Sequence, residues 1–366
     1  MSILDIFRAQ SKQLFWKQLP ARQVVNGGRD ALIEDDQAYF VIRLKQMYLY
    51  YSRKLWRGYH PMLYCYVQHG KREDQAIAGP GQLKDMTDSD LSRVLLLNHR
   101  LVGPIAFMGE DVVLQVGLYS VPGEDIAKTL VGSLSTIAGL IAPGAAPALE
   151  IANVVKAGVE NIAGLASTSL QLGVEDTFFQ NNKLREGYYV GINAPAAMVN
   201  INQLWLKDDH LMQGAIASIS QPYQGYDYMI IEIEKLDNRK DWPSLPEIAE
   251  FKQQFAAVLG DTNLTIEEKR QRISQLWPSF TNSLNESQHL VKPDREQIAL
   301  SVTTDLKERL EALKTGNPFE TRGWGEQSLE TKLPADFDFI DIADRLDFSD
   351  PNSVREANRA LSQPVF

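Results

Sequence analysis

Apolar and polar positions alternate with a period of two over much of the first 235 residues, which is typical of β-strands. Phe40, Ile42 and Leu44 share one face of such a segment, where β-branched and aromatic residues predominate. The other segments with this character are residues 62–69, 93–98, 102–108, 111–121, 187–193, 199–206, 211–219 and 226–234. Short consecutive strands without crossover helices favour antiparallel pairing. We therefore predict an antiparallel β-sandwich or barrel over residues 38–235.

Helical periodicity interrupts this pattern once, over residues 125–167. Ile126, Leu130 and Leu134 recur at helical spacing, a turn rich in Pro and Gly follows, and a second apolar stripe begins at Ile151. The pattern predicts a helical hairpin inserted between strands. An uncharged run of 21 residues within it is nominally long enough to cross a bilayer, although two prolines break the helix.

The first 20 residues are predicted to form a separate amphipathic element. Ile3, Phe7 and Leu14 lie at roughly helical spacing, and Pro20 limits any extension of a helix. We therefore expect a helix over residues 2–18 that packs its apolar stripe against another part of the protein.

A helical region is predicted over residues 245–316. Thr265 and Glu268 have the spacing of a capping box, which starts the second of three helices, and Pro278 marks its expected end. Beyond this region, residues 317–366 form an extended tail with a short final helix. The predicted fold class is therefore α+β: an antiparallel β-sandwich or barrel with an inserted helical hairpin, a C-terminal helical region and a tail.

Composition narrows the functional classes. Cys65 is the single cysteine, and the N-terminus lacks the basic and apolar regions of a signal peptide, so we expect a cytoplasmic protein. A net charge of −10 argues against general affinity for nucleic acid, because phosphate binding needs clustered Lys and Arg, and no sequence-specific nucleic-acid partner is expected. Phosphate-binding glycine loops and the common hydrolase motifs are missing, so no cofactor is predicted.

Three groups of residues are catalytic or metal-binding candidates by residue type. Cys65 is predicted to be buried or inert, because His69 lies four residues along the same strand and out of reach. Asp208, Asp209 and His210 are assigned to a hairpin turn rather than to a metal site. Glu232 and Glu234 share one face of a strand, as in some inverting glycosidases, but also as on any solvent face. No catalytic or metal-binding residue is assigned.

Charge is segregated along the chain. Residues 37–72 contain seven basic residues and no acid, whereas residues 320–350 contain nine acids that alternate with apolar groups. An acidic segment with so many apolar groups is expected to seek a partner surface. The partner-binding residues predicted in the tail are Phe337, Phe339, Ile342, Leu346 and Phe348. Their predicted basic counterparts are Arg53, Lys54 and Arg57.

The leading functional hypothesis is a non-enzymatic interaction protein, a subunit of an intracellular multi-protein assembly. Its tail would dock onto a protein partner, onto a second copy, or onto its own residues 37–72. The alternative is a membrane-acting, pore-forming effector that uses residues 125–167. A hydrolase whose site is assembled from distant residues is the third hypothesis.

Overall fold

The structure is a computed structural model that describes residues 13–25, 27–50, 53–54, 57–79, 94–122, 169–179 and 184–315. The described residues divide into two compact units. The β unit takes in described residues up to Asp35 and from Phe40 to Leu236. The helical unit takes in Asp36–Tyr39 and the described residues from Asp237 onward.

The β unit consists of short strands joined by turns and 3-10 segments. Its strands are β1 Leu14–Gln18, β2 Tyr39–Tyr48, β3 Arg53–Lys54, β4 Arg57–His69, β5 Arg72–Ala78, β6 Val94–Ala106, β7 Val112–Pro122, β8 Ser169–Phe178, β9 Gly187–Pro195, β10 Leu204–Lys207, β11 His210–Gln213, β12 Gln221–Pro222 and β13 Tyr228–Leu236. They form a five-stranded sheet in the order β1-β9-β13-β2-β6, a second sheet β3-β4-β7-β8 with β5 paired to β4, and a small sheet β10-β11-β12.

Side chains of the two larger sheets pack against each other. The Trp16 indole donates to Asp176 Oδ2 at 2.7 Å. The rings of Phe178 and Tyr189 meet edge to face, with centroids 5.5 Å apart. Antiparallel sheets with interlocking inner faces are the form that the alternating sequence pattern predicts. The predicted α+β class is confirmed.

The small sheet covers part of the first sheet. Leu204, Leu206 and Leu211 of the small sheet belong to one buried cluster with Val190 and Ile230 of β9 and β13. Leu206 and Leu211 are direct partners across the hairpin, so both point inward together. On the opposite face of the small sheet, Trp205 and Met212 are half-buried.

The helical unit contains α1 Pro246–Gly260, α2 Ile266–Glu286 and α3 Lys292–Thr315. Its centre holds the rings of Phe251, Phe255, Trp277 and Phe280. The predicted capping box is confirmed: Glu268 N donates to Thr265 Oγ1, and Thr265 N donates to Glu268 Oε2 at 2.7 Å.

The predicted end of the second helix is wrong, because α2 passes through Pro278 and continues to Glu286. An internal proline removes one hydrogen bond and crowds the preceding turn, at a cost of roughly 3 kcal/mol. Burial of Phe280 and Leu284 beyond the proline offsets that cost. Tertiary packing here overrides the local preference.

Two local predictions in the β unit are also wrong. Leu14–Gln18 form strand β1 rather than the end of a helix, with Trp16 opposite Gly191 of β9. Residues 1–12, which the helix prediction also covers, lie outside the described residues. Arg72–Ala78, predicted as loop, form β5, with His69 opposite Arg72 across a turn at Gly70. β5 pairs with β4, and most of its residues are polar, so its sequence resembles that of a loop.

Two predicted elements lie outside the described residues: the helical hairpin over residues 125–167 and the tail over residues 317–366. Both stay predictions. Among the helices that the structure describes, none combines the length and apolar character that a bilayer-spanning helix requires.

Candidate functional site

An uncharged surface is the most distinctive feature of the β unit. Residues 196–206 and 211–226 contain no Asp, Glu, Lys, Arg or His, and we call these two segments the neutral lobe. They comprise most of β10 and of β11, all of β12, and three 3-10 turns. The charged residues between the two segments, Lys207, Asp208 and Asp209, all lie at the β10–β11 turn.

Large apolar side chains of the neutral lobe face solvent. Six such side chains are exposed in the described residues, and four belong to the lobe: Met198 at 71%, Ile219 at 68%, Ile216 at 52% and Tyr226 at 40%. Single exposed apolar residues are ordinary on protein surfaces. Their concentration on the two uncharged segments is not, and it matches the depletion of charge at the centre of protein interfaces.

Backbone contacts fix the neutral lobe on the β unit. Gln23 Nε2 donates to the carbonyls of Ile201 and Leu204, each at 2.6 Å. Leu211 N donates to Gln46 Oε1 at 3.0 Å, which is a buried contact. These hydrogen bonds tie β10, β11 and the turn before β10 to the rest of the β unit.

A tight loop presents Ile216 and Ile219. The Trp205 indole donates to Gly214 O at 2.9 Å, which closes the loop onto β10. A Cβ atom at Gly214 would lie 2.8 Å from Ser220 Cα, so only glycine permits this approach. The loop therefore holds its two isoleucines outward on a short, constrained segment.

A second candidate site is a charged cleft of about 480 Å³ beside the β10–β11 turn. It lies on the first sheet, where Arg43 and Lys45 of β2 stand next to Glu232 and Glu234 of β13. The sequence prediction that both glutamates share one strand face agrees with their position in this cleft. Arg29 also lines it.

The charges of the cleft are paired with one another. Arg43 Nε lies 2.6 Å from Glu234 Oε2. Lys45 Nζ lies 3.0 Å from Asn98 Oδ1, 3.3 Å from Asp209 Oδ1 and 3.7 Å from Glu232 Oε2. Lys45 is almost fully buried, so these contacts replace the water that its ammonium group loses.

A tyrosine extends the network of the cleft across a further strand. The Tyr188 hydroxyl, on β9, donates to Glu232 on β13. Burial, together with the adjacent Glu232 carboxylate, raises the pKa of Tyr188 above its ordinary value. The hydroxyl therefore stays protonated and acts as a hydrogen-bond donor. This continuous chain of contacts over four strands ties the hairpin tip to the sheet.

The predicted hairpin turn at residues 207–210 is confirmed, with Lys207 opposite His210. Asp208 and Asp209 both have positive φ, 50° and 61°, as a type I′ turn requires. The His210 ring contacts Asp208 O through Nδ1 at 2.8 Å. In the part of the chain that the structure describes, no group of three or more His, Cys, Asp and Glu side chains is arranged to hold a metal ion.

The basic segment over residues 37–72 is partly neutralised by distant acids. Arg43 and Lys45 pair with acids of β13 and of the β10–β11 turn, and Arg72 pairs with Asp74 at 2.6 Å. The sequence could not show this, because most of these acids are far along the chain. The segment therefore offers an acidic tail fewer free cations than its composition suggests.

For the predicted basic counterparts Arg53, Lys54 and Arg57, the structure describes only the backbone. Arg53 and Lys54 form β3, and Arg57 begins β4, with Lys54 opposite Arg57. The predicted tail residues Phe337, Phe339, Ile342, Leu346 and Phe348 lie outside the described residues. Docking between the two stays a prediction.

Cys65 is buried, as predicted. It lies in β4 between Ala76 of β5 and Val116 of β7. Burial raises the pKa of the Cys65 thiol well above its ordinary value, so the thiolate is disfavoured. His69 instead packs beside the rings of Phe40 and Phe107.

A scan against protein-family models and a search of curated proteins gave no match to this sequence.

Proposed function

We propose that this protein is a non-enzymatic interaction protein, a subunit of an intracellular multi-protein assembly, and that it binds its partner through the neutral lobe. The observation that carries the proposal is the coincidence of four exposed large apolar side chains with two segments that lack any charge. Contact with a protein surface removes this apolar area from water, at roughly 25 cal/mol per Å².

The construction of the lobe supports the proposal. Its inner side chains are fixed in the core, so the outer residues gain contact area without first having to be ordered. Exposed amides surround the apolar residues and supply neutral hydrogen-bond donors and acceptors at the rim: Asn200, Asn202, Gln203, Gln213, Gln221 and Gln224. This combination of an apolar centre and a polar rim is typical of protein interfaces.

The acidic, apolar tail is proposed as a second docking element. Phe337, Phe339 and Phe348 stand among acids, so they are suited to burial on a surface that tolerates negative charge at its edge. The neutral lobe carries no acid that would repel them. The tail and the lobe are therefore proposed to act in the same assembly.

Site-specific photo-crosslinking tests the interface. A benzophenone amino acid is introduced at Ile219 in the full chain, expressed in its native cells, and compared with the same residue at Phe179. Phe179 is a matched control, because it is 53% exposed and lies directly after β8 rather than on the lobe. We expect discrete crosslinked proteins from position 219 alone. Equal crosslinking from both positions, or none from position 219, would contradict the proposal.

The tail is tested in the same cells. Phe337, Phe339 and Phe348 are replaced together by serine in the full chain that carries the probe at position 219. If the tail docks in the same assembly, the crosslinks from position 219 should weaken. Unchanged crosslinks would contradict docking of the tail in this assembly, whereas the proposed binding through the neutral lobe would stand.

A further inference from the structure

We infer that the partner bound by the neutral lobe is a second copy of this chain, in an isologous dimer with lobe against lobe. The inference rests on the proposed function and identifies its partner. It is carried by charge: the lobe is uncharged, whereas the protein as a whole is strongly acidic.

The net charge of the chain decides which partner the lobe suits. At −10, two copies of the chain repel each other electrostatically. A basic partner would be attracted to acidic parts of the protein rather than to the neutral lobe. The lobe has no charge that could steer such a partner or fix its orientation. A second copy meets least repulsion where neither surface carries an acid. The lobe meets that condition over residues 196–206 and 211–226.

The shape of the small sheet favours contact through side chains rather than strand addition. Its outer strand, β12, consists only of Gln221 and Pro222, and proline has no backbone N–H to donate to a new strand. Met198 and Tyr226 contact each other, with the Tyr226 hydroxyl 3.9 Å from Met198 Sδ. In a twofold arrangement the same apolar patch is used by both copies.

Sedimentation velocity of the full chain over a range of concentrations tests the inference. We expect a monomer–dimer equilibrium that tightens as NaCl rises from about 0.05 to 0.5 M, because salt screens repulsion between acidic copies. An interface made of ion pairs would show the opposite dependence. A protein that stays monomeric at every concentration and salt would overturn the inference.

Charged variants locate the dimer interface. Ile219→Asp places an unpaired charge in the interface twice, once from each copy, and should weaken dimerisation by roughly a hundredfold or more. Phe179→Asp adds the same charge at an exposed position outside the lobe and should change the dimerisation constant by less than about threefold. Ile219→Val, which keeps the site apolar, should dimerise like the original chain.

The outcomes separate this inference from the proposed function. Dimerisation that Ile219→Asp and Phe179→Asp weaken equally would place the contact elsewhere and overturn the inference. A monomeric protein that still crosslinks to a different protein from position 219 would also overturn it, while the proposed function stands. If the protein neither dimerises nor crosslinks from position 219, both the inferred dimer and the proposed function are contradicted.

Discussion

At the residue scale, Asp294 is a carboxyl group buried in the helical unit. Its Oδ2 accepts hydrogen bonds from the Tyr39 hydroxyl at 2.6 Å and from Arg239 N at 2.9 Å. Its Oδ1 is buried without a hydrogen-bond partner among the described residues. Burial is the main cause that raises the pKa of Asp294 to about 7, and Asp241 adds to it, whereas Tyr39 and Arg239 oppose it.

This carboxyl group predicts a pH dependence of stability. Because the pKa is higher in the folded than in the unfolded state, the protonated form favours folding, and that contribution is lost as pH rises from about 4 to about 7. The Asp294→Asn side chain cannot lose a proton. The free energy of unfolding of this variant, minus that of the original chain, should therefore rise from pH 4 to pH 7 and level off above pH 7. Urea unfolding at pH 4, 5, 6, 7 and 8 measures the difference, and a constant difference would contradict the assignment.

Replacement of the buried Lys45 is also expected to lower the stability of the protein. Lys45→Met leaves Glu232 and Asp209 without their cation, and Asp209 is about half exposed, so we expect a loss of about 1–3 kcal/mol. Adding Glu232→Gln should recover part of that loss, because the unpaired carboxylate is then gone. Denaturant unfolding of the single and double variants checks this.

An exposed ion pair provides the matched control for Lys45. Arg185 and Asp30 lie 3.3 Å apart, and about half of each side chain is exposed. Arg185→Met should therefore cost less than about 1 kcal/mol. A loss as large as that of Lys45→Met would show that burial does not distinguish the two pairs.

At the element scale, the start of α2 depends on its cap. Thr265→Ala leaves Glu268 N without its acceptor and should cost about 1 kcal/mol. Thr304→Ala is the control, since Thr304 is exposed inside α3 and alanine is the better helix former there. Thermal unfolding of both variants checks the prediction, and an equal effect would rule out a capping role.

The elements also show how far the sequence could predict this fold. Alternation located β2, β4, β7, β9 and β13 because each has a long apolar face, and the capping box located α2 because its signal is local. Leu14 and Phe15 fit a helix and a strand equally well, so only pairing with β9 decides for β1. Polar Arg72–Ala78 gives no strand signal without its partner β4.

The candidate surfaces were harder to predict. Arg43 and Glu234 are 191 positions apart, so no local pattern could reveal their ion pair. The sequence pattern predicts one strand over residues 211–219, but β11 ends at Gln213 and the loop beyond it exposes Ile216 and Ile219. The lack of charge in residues 211–226 was visible in the sequence. Its exposure was not, because periodicity cannot tell a buried apolar residue from an exposed one.

At the scale of the whole molecule, the sequence has a net charge of −10, whereas the two segments of the neutral lobe contain no charged residue. In the proposed function, the acidic net charge keeps copies and non-specific partners apart, and the neutral lobe is the surface at which contact occurs. The proposed function and the inferred dimer both depend on this contrast. Both require that the neutral lobe be covered in the native assembly.

Hydroxyl-radical footprinting of the full chain within its native assembly measures that coverage directly. Tyr226 and Tyr50 form a matched pair, because 40% and 41% of their surfaces are exposed and only Tyr226 belongs to the neutral lobe. We predict that Tyr226 and Met198 are oxidised several-fold more slowly in the assembly than in the isolated, dilute protein, while Tyr50 is unchanged. Oxidation of Tyr226 and Met198 at the same rate in both states would contradict the account.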